Sequence, residues 1–405
     1  MSVRLLVILP VFPWPARRDG MAVRFLPILQ YLGRRHLVDL IVIDDAVDSD
    51  AATHIPELAS VSFLQSGERR LPVLLRKLIT AARGIAPFGA PLGQMDYRDR
   101  RQLKQELRAR IARCNYAAVL VSSAAWTMAP DLGYPKDCRI IYDFVDSPTL
   151  HMRRGGWLKG LERLLRHHTE QKCARLELRI RRFAAACIYV SEPDAEAIGV
   201  AKAAPAPFVI PNGVTEGPVV NEPSAPPTRP VIGFLGNMGY VPNINAALRL
   251  ALNIMPPIRA AVPQAQLLVI GRDPAPAILQ LAGPSVTVTG TVEDIWPHVR
   301  EVRAFVFPML SGAGLQNKIL EAMFAGVPVV TTSLSAQSLG AAAGTEVLVA
   351  DTDSDIARLA AEVVTDEALW RRLSLAGRAF VSQHHSWPAL AARYESVILG
   401  GSAAR

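Results

Sequence analysis

Residues 305–332, FVFPMLSGAGLQNKILEAMFAGVPVVTT, decide how this chain folds. The stretch opens on an apolar run, turns at Gly312 and Gly314, and takes a helical pattern from near Leu315. Gly326 and Pro328 break that pattern, and a β-branched run follows at 327–331. Strand, glycine turn, helix and strand in this order predict a β-α-β unit with parallel strands. The turn falls at the carboxyl end of the first strand, which is where open α/β sheets place their ligands.

Worked outward, the same cycle covers the chain. In the second half, residues 230–235, 266–270, 286–289, 304–307, 327–331 and 346–349 read as buried strands. The first half repeats the pattern at 5–9, 38–43, 61–64, 118–121, 140–142 and 186–190, with helix-length segments at 21–33, 102–114 and 158–183 between them. Alternation of this kind predicts an α/β fold of doubly wound parallel sheets. Between the halves, VTEGPVVNEPSAPPTRP (214–230) is rich in proline and lacks periodicity, so it reads as a linker. The expected organisation is a Rossmann-like domain over 1–213, a linker over 214–230 and a second Rossmann-like domain over 231–385. A final helix over 386–405, with Leu390, Tyr394 and Val397 on one face, could pack on either domain or cross back to the first. Two such domains in tandem would face each other across a cleft.

Composition bounds the class. At 405 residues the chain suits two cores rather than one, and half of its residues are hydrophobic. No apolar run reaches the roughly 18 residues of a membrane span. The opening MSVRLLVILP reads as a first strand rather than a signal peptide. Cys114, Cys138, Cys173 and Cys187 are scattered without a CxxC or Cys/His cluster, which suggests a reduced, cytoplasmic protein with no structural zinc. The positive charge is concentrated in the first half, with 31 Lys/Arg against 21 Asp/Glu; the second half has 13 against 15. Residues 69–113 and 151–182 carry the excess. They read either as solvated helix faces or as a surface for anionic lipid. Nucleic acid fits poorly, because no aromatics interleave with the basic residues.

The chemistry of the opening stretch follows from its residue types. A helix starting near Leu315 would aim free N–H groups at a bound phosphate, from the backbone of Gly312, Ala313, Gly314, Leu315, Gln316 and Asn317. Lys318, one turn in, can reach a diphosphate. Glu321 cannot serve phosphates, but its carboxylate suits the vicinal hydroxyls of a ribose. A plain surface helix with a Lys/Glu pair is the competing reading. The Gly233, Gly236 and Gly239 spacing does not match the dinucleotide fingerprint, and no acidic residue stands cleanly at the end of the next strand, which disfavours a nicotinamide enzyme.

The segment QNKILEAMFAGVPVVTT resembles the donor-binding segment of GT-B glycosyltransferases of glycosyltransferase family four, and is most similar to the exopolysaccharide-associated subgroup. FPWPARRDGMAVR (12–24), YDFVDSPT (142–149), VSEPDAEAI (190–198), IPNGV (210–214), GFLGNMGYVPNINA (233–246), VTVTGTVEDIWPHV (286–299) and SWPALAARYE (386–395) continue the resemblance in family order over nearly the whole chain. It implies retaining transfer of a sugar from a nucleotide-diphosphate donor, UDP- or GDP-linked, to a hydroxyl of a glycan, lipid-linked or other acceptor. It also implies no metal or other cofactor, and work in cell-surface polysaccharide or glycoconjugate assembly.

By the same resemblance, Gly20 would bring backbone close to the donor phosphate and the acceptor, and Glu321 would bind the nucleotide ribose as the second glutamate of an E-x7-E motif. The first glutamate is replaced by Ala313, so that position offers no side chain to the donor sugar. Gly236 and Asn237 fall on the donor loop, where the family often has an arginine and then a lysine; Asn237 and Asn243 stand there instead. Lys318 becomes the main side-chain cation for the departing diphosphate, with Arg24 or Arg272 in support. On the acceptor side, Ser122 and Ser123 stand where many relatives have a histidine. Asp143 and Asp146 are candidates to orient the acceptor hydroxyl, or else, with Ser147, to cap a helix. Glu192 reads as a helix-start carboxylate more readily than as a cleft residue.

Segments 69–84 and 157–183 place apolar residues at helical spacing among basic ones, as in a helix lying on an anionic membrane surface or in an ordinary core-packed helix. The expected location is cytoplasmic, on the inner membrane face. Two other functions fit the same architecture: a nucleotide-sugar 2-epimerase, disfavoured by few cleft histidines and the missing first glutamate, and a degenerate protein that binds nucleotide sugar without transferring it. Oligomeric state, donor base, sugar and acceptor are not legible in the sequence.

Overall fold

The computed structural model describes residues 2–16, 19–43, 50–64, 97–122, 134, 138–154, 166–199, 204–214, 225–312 and 314–401. Its chain forms two compact units, Met1–Asn212 with Trp387–Arg405, and Gly213–Ser386.

The first unit is built on β1 (Arg4–Leu9), β2 (Leu37–Val42), β3 (Ser60–Phe63), β4 (Ala118–Ser122), β5 (Arg139–Val145), β6 (Ala186–Tyr189) and β7 (Phe208–Val209). They lie in the order β3-β2-β1-β4-β5-β6-β7, every pair parallel. The strands read as continuous apolar runs because helices cover both faces of such a sheet. Leu5, Val7 and Leu9 point to one core and Leu6 and Ile8 to the other, as the two-residue period of a strand requires.

Helix Gly20–Gly33 follows β1 and starts where Asp19 caps it, its carboxylate accepting from Ala22 N at 2.9 Å. The final helix Trp387–Leu399 packs in the first unit: Trp387, Leu390, Tyr394, Val397 and Ile398 share a core with Leu5, Phe25 and Leu29.

The second unit repeats the plan with β8 (Val231–Leu235), β9 (Gln266–Ile270), β10 (Val286–Val288), β11 (Ala304–Phe307), β12 (Val329–Thr331) and β13 (Leu348–Val349), ordered β10-β9-β8-β11-β12-β13 and all parallel. Two parallel-sheet, Rossmann-like units are thus present, as the alternation of strands and helices predicts. Most strands fall within a residue or two of the expected bounds. One difference matters. The strand expected at 140–142 runs on to Val145, so Asp143 lies inside β5 rather than after it. Of the proline-rich stretch expected as a linker, 215–224 lie outside the described residues.

Candidate functional site

In the second unit the strand order reverses between β8 and β11, and ligands of such sheets occupy the crevice at that switch point. Two loops line it, residues 236–240 after β8 and residues 308–316 after β11. Ala313 lies outside the described residues.

The second loop is tied down along its length. Arg249 donates to the Pro308 carbonyl at 3.0 Å and to that of Asp351 at 2.7 Å, while its Nε pairs with Asp353 at 2.6 Å. Thr331 and Thr332 donate their hydroxyls to the carbonyls of Phe307 and Met309, both at 2.9 Å. Gly312 and Gly314 then take φ of +128° and +71°, conformations that side-chain-bearing residues rarely adopt. Helix Asn317–Phe324 begins directly afterwards, two residues later than the sequence pattern suggests. Gln316 stands at its N-cap without a side-chain cap bond; its amide donates to Ser335 Oγ at 2.9 Å and its Oε1 is buried without a partner.

The first loop closes on itself. Asn237 Oδ1 accepts from Gly239 N at 2.9 Å, and the Asn237 carbonyl accepts from Asn243 Nδ2 at 3.0 Å. Gly236 abuts the exit of β9 so closely that a Cβ on Gly271 would fall 1.7 Å from the Gly236 oxygen. Gly271 also has φ +149°, so only glycine lets the two strand exits pass.

Lys318 joins the two loops. Its Nζ donates to Asn243 Oδ1 at 2.6 Å and lies 3.4 Å from Met309 Sδ, over the rings of Phe234 and Phe307 at 5.1 and 5.6 Å. Among the described residues no carboxylate pairs with it. Burial without a counter-charge pushes its ammonium down to about 7. Asn243, read from sequence only as the place of a missing cation, therefore holds the remaining one. Glu321 lies on the same helix, half-buried and three residues on from Lys318, a spacing that puts both on one side. Arg272 leaves β9 half-exposed beside Asp273.

In the first unit, Gly20 is the exposed first residue of its helix, and a Cβ there would meet nothing within 4 Å. Three acceptor-side expectations need correction. Arg24 and Asp143 are both wholly buried and spend their charge on each other at 2.7 Å. Arg24 also donates to the Ile210 carbonyl at 3.1 Å and to Asn212 Oδ1 at 2.8 Å, so it cannot assist a diphosphate from there. Ser122 is the buried last residue of β4, its Oγ without a partner, and offers no surface hydroxyl. Ser123 lies outside the described residues.

Asp146 alone of the acceptor-side carboxylates remains half-exposed, in the turn after β5. Ser147 caps the helix Pro148–Arg153, accepting from Leu150 N at 3.2 Å. Glu192 starts the short helix Glu192–Glu196, exposed.

Two carboxylates escaped the sequence reading, Glu177 and Asp194, both wholly buried around that turn. Glu177 had a signal: it sits at i+4 from Cys173 and i−3 from Ile180, on the apolar face of helix Arg166–Phe183. That face packs into the first unit's own core, which gives the described part of the basic segment its burial partner within the protein. Segment 69–84 and residues 157–165 lie outside the described residues. Among the described residues no helix is long and apolar enough to cross a membrane, and no three His, Cys, Asp or Glu side chains gather as a metal cage would need.

Residues 229–366 match the family model described as "Glycosyl transferases group 1". No curated protein matches the chain. Solved structures match it end to end. Sucrose-phosphate synthase from Thermosynechococcus elongatus is 15% identical with a TM-score of 0.68, covering 97% of this chain and 98% of its own. HepE of Anabaena, in complex with UDP-glucose, is 15% identical with a TM-score of 0.63, covering 98% and 99%. TarM of S. aureus, in a mutant complex with UDP, fondaparinux and α-GlcNAc-glycerol, is 10% identical with a TM-score of 0.66, covering 98% and 100%. Residues 229–366 are thus a glycosyltransferase domain, and the chain has the GT-B fold, an α/β architecture of two Rossmann-like units.

Proposed function

We propose that this protein is a retaining glycosyltransferase that moves a sugar from a nucleoside-diphosphate donor to a hydroxyl acceptor in the assembly of cell-surface polysaccharide or glycoconjugate. One observation carries the reading. Lys318 is a cation held by an amide, a thioether and two rings, beside a glycine turn and a helix start, at the crevice of a glycosyltransferase domain. A diphosphate is the missing counter-charge for such a group. The backbone of Gly312, Gly314 and Leu315 would hold the phosphates and Glu321 the ribose hydroxyls. HepE, solved with UDP-glucose, and TarM, solved with UDP, support a nucleotide of this class.

In the transfer step the bond from sugar C1 to the diphosphate oxygen breaks, and a bond from the acceptor oxygen to C1 forms on the same face. The acceptor proton goes to the leaving phosphate oxygen, while Lys318 stabilises the charge left on the diphosphate. A trapped sugar–enzyme adduct that turns over at the rate of catalysis would replace this route by double displacement. No metal enters the scheme, so transfer should persist in excess chelator; its loss, restored by a divalent cation, would refute that part.

A thermal-shift panel of nucleoside diphosphates and their sugars tests the donor. Binding to the folded state alone raises apparent stability, by about 2.7 kcal/mol at a hundredfold excess over Kd. A specific rise for one base is the expected result, and no rise for any of them would sink the reading. The basic excess of the first half further favours work at an anionic membrane surface. Pelleting with anionic liposomes at moderate salt is expected, and failure to pellet at any salt would remove that element.

A further inference from the structure

At its β7 edge the first unit's sheet stops short. β7 has only two residues, and Pro205 and Pro207 just before it have no N–H with which to extend a ladder. Just past helix Glu192–Glu196, Gly199 takes φ +73° and donates its N–H to the Glu196 carbonyl at 2.8 Å. That helix and β7 border a cavity of about 720 Å³, within the range of roughly 300–1,000 Å³ usual for small-molecule sites. Every described residue that lines it belongs to the first unit.

Two arginines line this cavity. Arg181, from the last turn of helix Arg166–Phe183, is only 4% exposed. Its Nε is buried without a partner, and its one hydrogen bond among the described residues is a long one, from Nη1 to the Ala195 carbonyl at 3.5 Å. Arg393, half-buried on the final helix, donates Nη2 to the Val209 carbonyl at 3.1 Å. Among the described residues no carboxylate forms an ion pair with either, although Glu192 and Glu196 line the same cavity. Glu177, one turn before Arg181, is taken up by the hydroxyls of Ser147, Thr149 and Tyr189. A guanidinium drawn out of water in this way is costly unless an anion meets it.

A planar carboxylate matches the fork of a guanidinium, and the rest of the lining narrows the ligand further. Glu192 and Glu196 stand four residues apart on their helix, both exposed. Their carboxylates oppose a doubly charged phosphate but accept hydrogen bonds from hydroxyls. Pro207, Phe208, Val209 and Pro211 offer an apolar wall to the C–H face of a ring, and the small side chains of Ala195, Ala204 and Ala206 leave it room.

We propose that this cavity is a second saccharide site, built by residues other than those of the donor crevice, for a sugar ring that carries a carboxylate, as a uronic acid does. The choice of a saccharide rests on the glycosyltransferase domain in the same chain, not on the transfer scheme. The carboxylate pairs with Arg181 and Arg393, the hydroxyls donate to Glu192 and Glu196, and the ring lies on Phe208 and its neighbouring prolines. No bond is made or broken there; the site holds the glycan.

Calorimetry on the whole protein tests this with methyl glucuronoside and short oligoglucuronates as probes, against methyl glucoside, inorganic phosphate and leucine. The glucuronate probes should bind, and the three controls at least tenfold more weakly. Arg393→Gln, which changes a partly exposed side chain, should weaken glucuronate binding by about tenfold or more, the loss of a charge-assisted pair. Arg181→Lys keeps the interior charge but loses the fork, so affinity should fall while the melting temperature is largely kept. Excess UDP should leave the affinity unchanged. No binding of glucuronate, equal binding of glucoside, phosphate or leucine, affinity indifferent to both variants, or displacement by UDP would each overturn the proposal. Failure of UDP itself to bind counts only against the donor reading, because the glucuronate titrations stand without it.

Discussion

Lys318→Ala will lower kcat for sugar transfer by about 10²–10³-fold, the loss expected when one preorganised group is taken from a developing negative charge. The effect is this large because the other candidate cations are engaged elsewhere, Arg272 beside Asp273. Arg24 is buried in the other unit against Asp143, and Asn237 and Asn243 are neutral. The same burial predicts a pH signature. With its ammonium near 7, Lys318 in the free enzyme loses its proton as pH rises through neutrality, so kcat/KM for the donor should fall above about pH 7. A bound diphosphate favours the charged form, so donor binding near pH 8 should take up a proton, seen as a buffer-dependent enthalpy in calorimetry. The unfolded lysine binds its proton up to about 10.5 and the folded one only to about 7, so this group makes the fold more stable as pH rises between those values. A Lys318→Ala variant with near-native kcat would remove the residue from the chemistry.

Asp143→Ala will destabilise the first unit by about 3–5 kcal/mol, the usual cost of leaving one member of a buried ion pair alone. Arg24 would keep its bonds to Ile210 and Asn212 but lose the carboxylate it pairs with. Tyr394 would lose the acceptor of its hydroxyl, and Val145 N the carboxylate oxygen that fixes its strained backbone. Since Tyr394 belongs to helix Trp387–Leu399, cleavage of that helix by protease should accelerate along with denaturant unfolding. The Arg24→Met, Asp143→Leu double variant should be much less destabilised than the sum of the single changes, because no lone charge is then left inside. A loss below about 1 kcal/mol for Asp143→Ala would mean that the pair does not carry this interior.

How much was legible beforehand differs between the two units. The donor-side loop could be read because its determinants are local. Two glycines, a helix start and Lys318 lie within seven residues, and the turn's place at a strand end follows from the β-α-β order. The acceptor side could not, because its roles depend on partners far along the chain. Arg24 and Asp143 are 119 positions apart, and either alone reads as a polar residue near a cleft. Asp143 was also placed outside its strand, since a carboxylate ordinarily ends an apolar run and nothing nearby announces its buried arginine. Asp194 escaped the reading, because its oxygens hold the backbone of a turn 47 positions earlier.

By itself, then, the sequence determined the alternation of strands and helices, two parallel sheets, and the glycine turn carrying Lys318 and Glu321, because hydrophobic period and turn chemistry act over a few residues. Only the tertiary structure decided which charges are spent inside the fold and which are left for a ligand. Arg24 and Asp143 cancel one another in the interior, whereas Lys318 has no opposite partner among the described residues. Whether a charge is free depends on burial and on its neighbours in space, and no window of the sequence contains both.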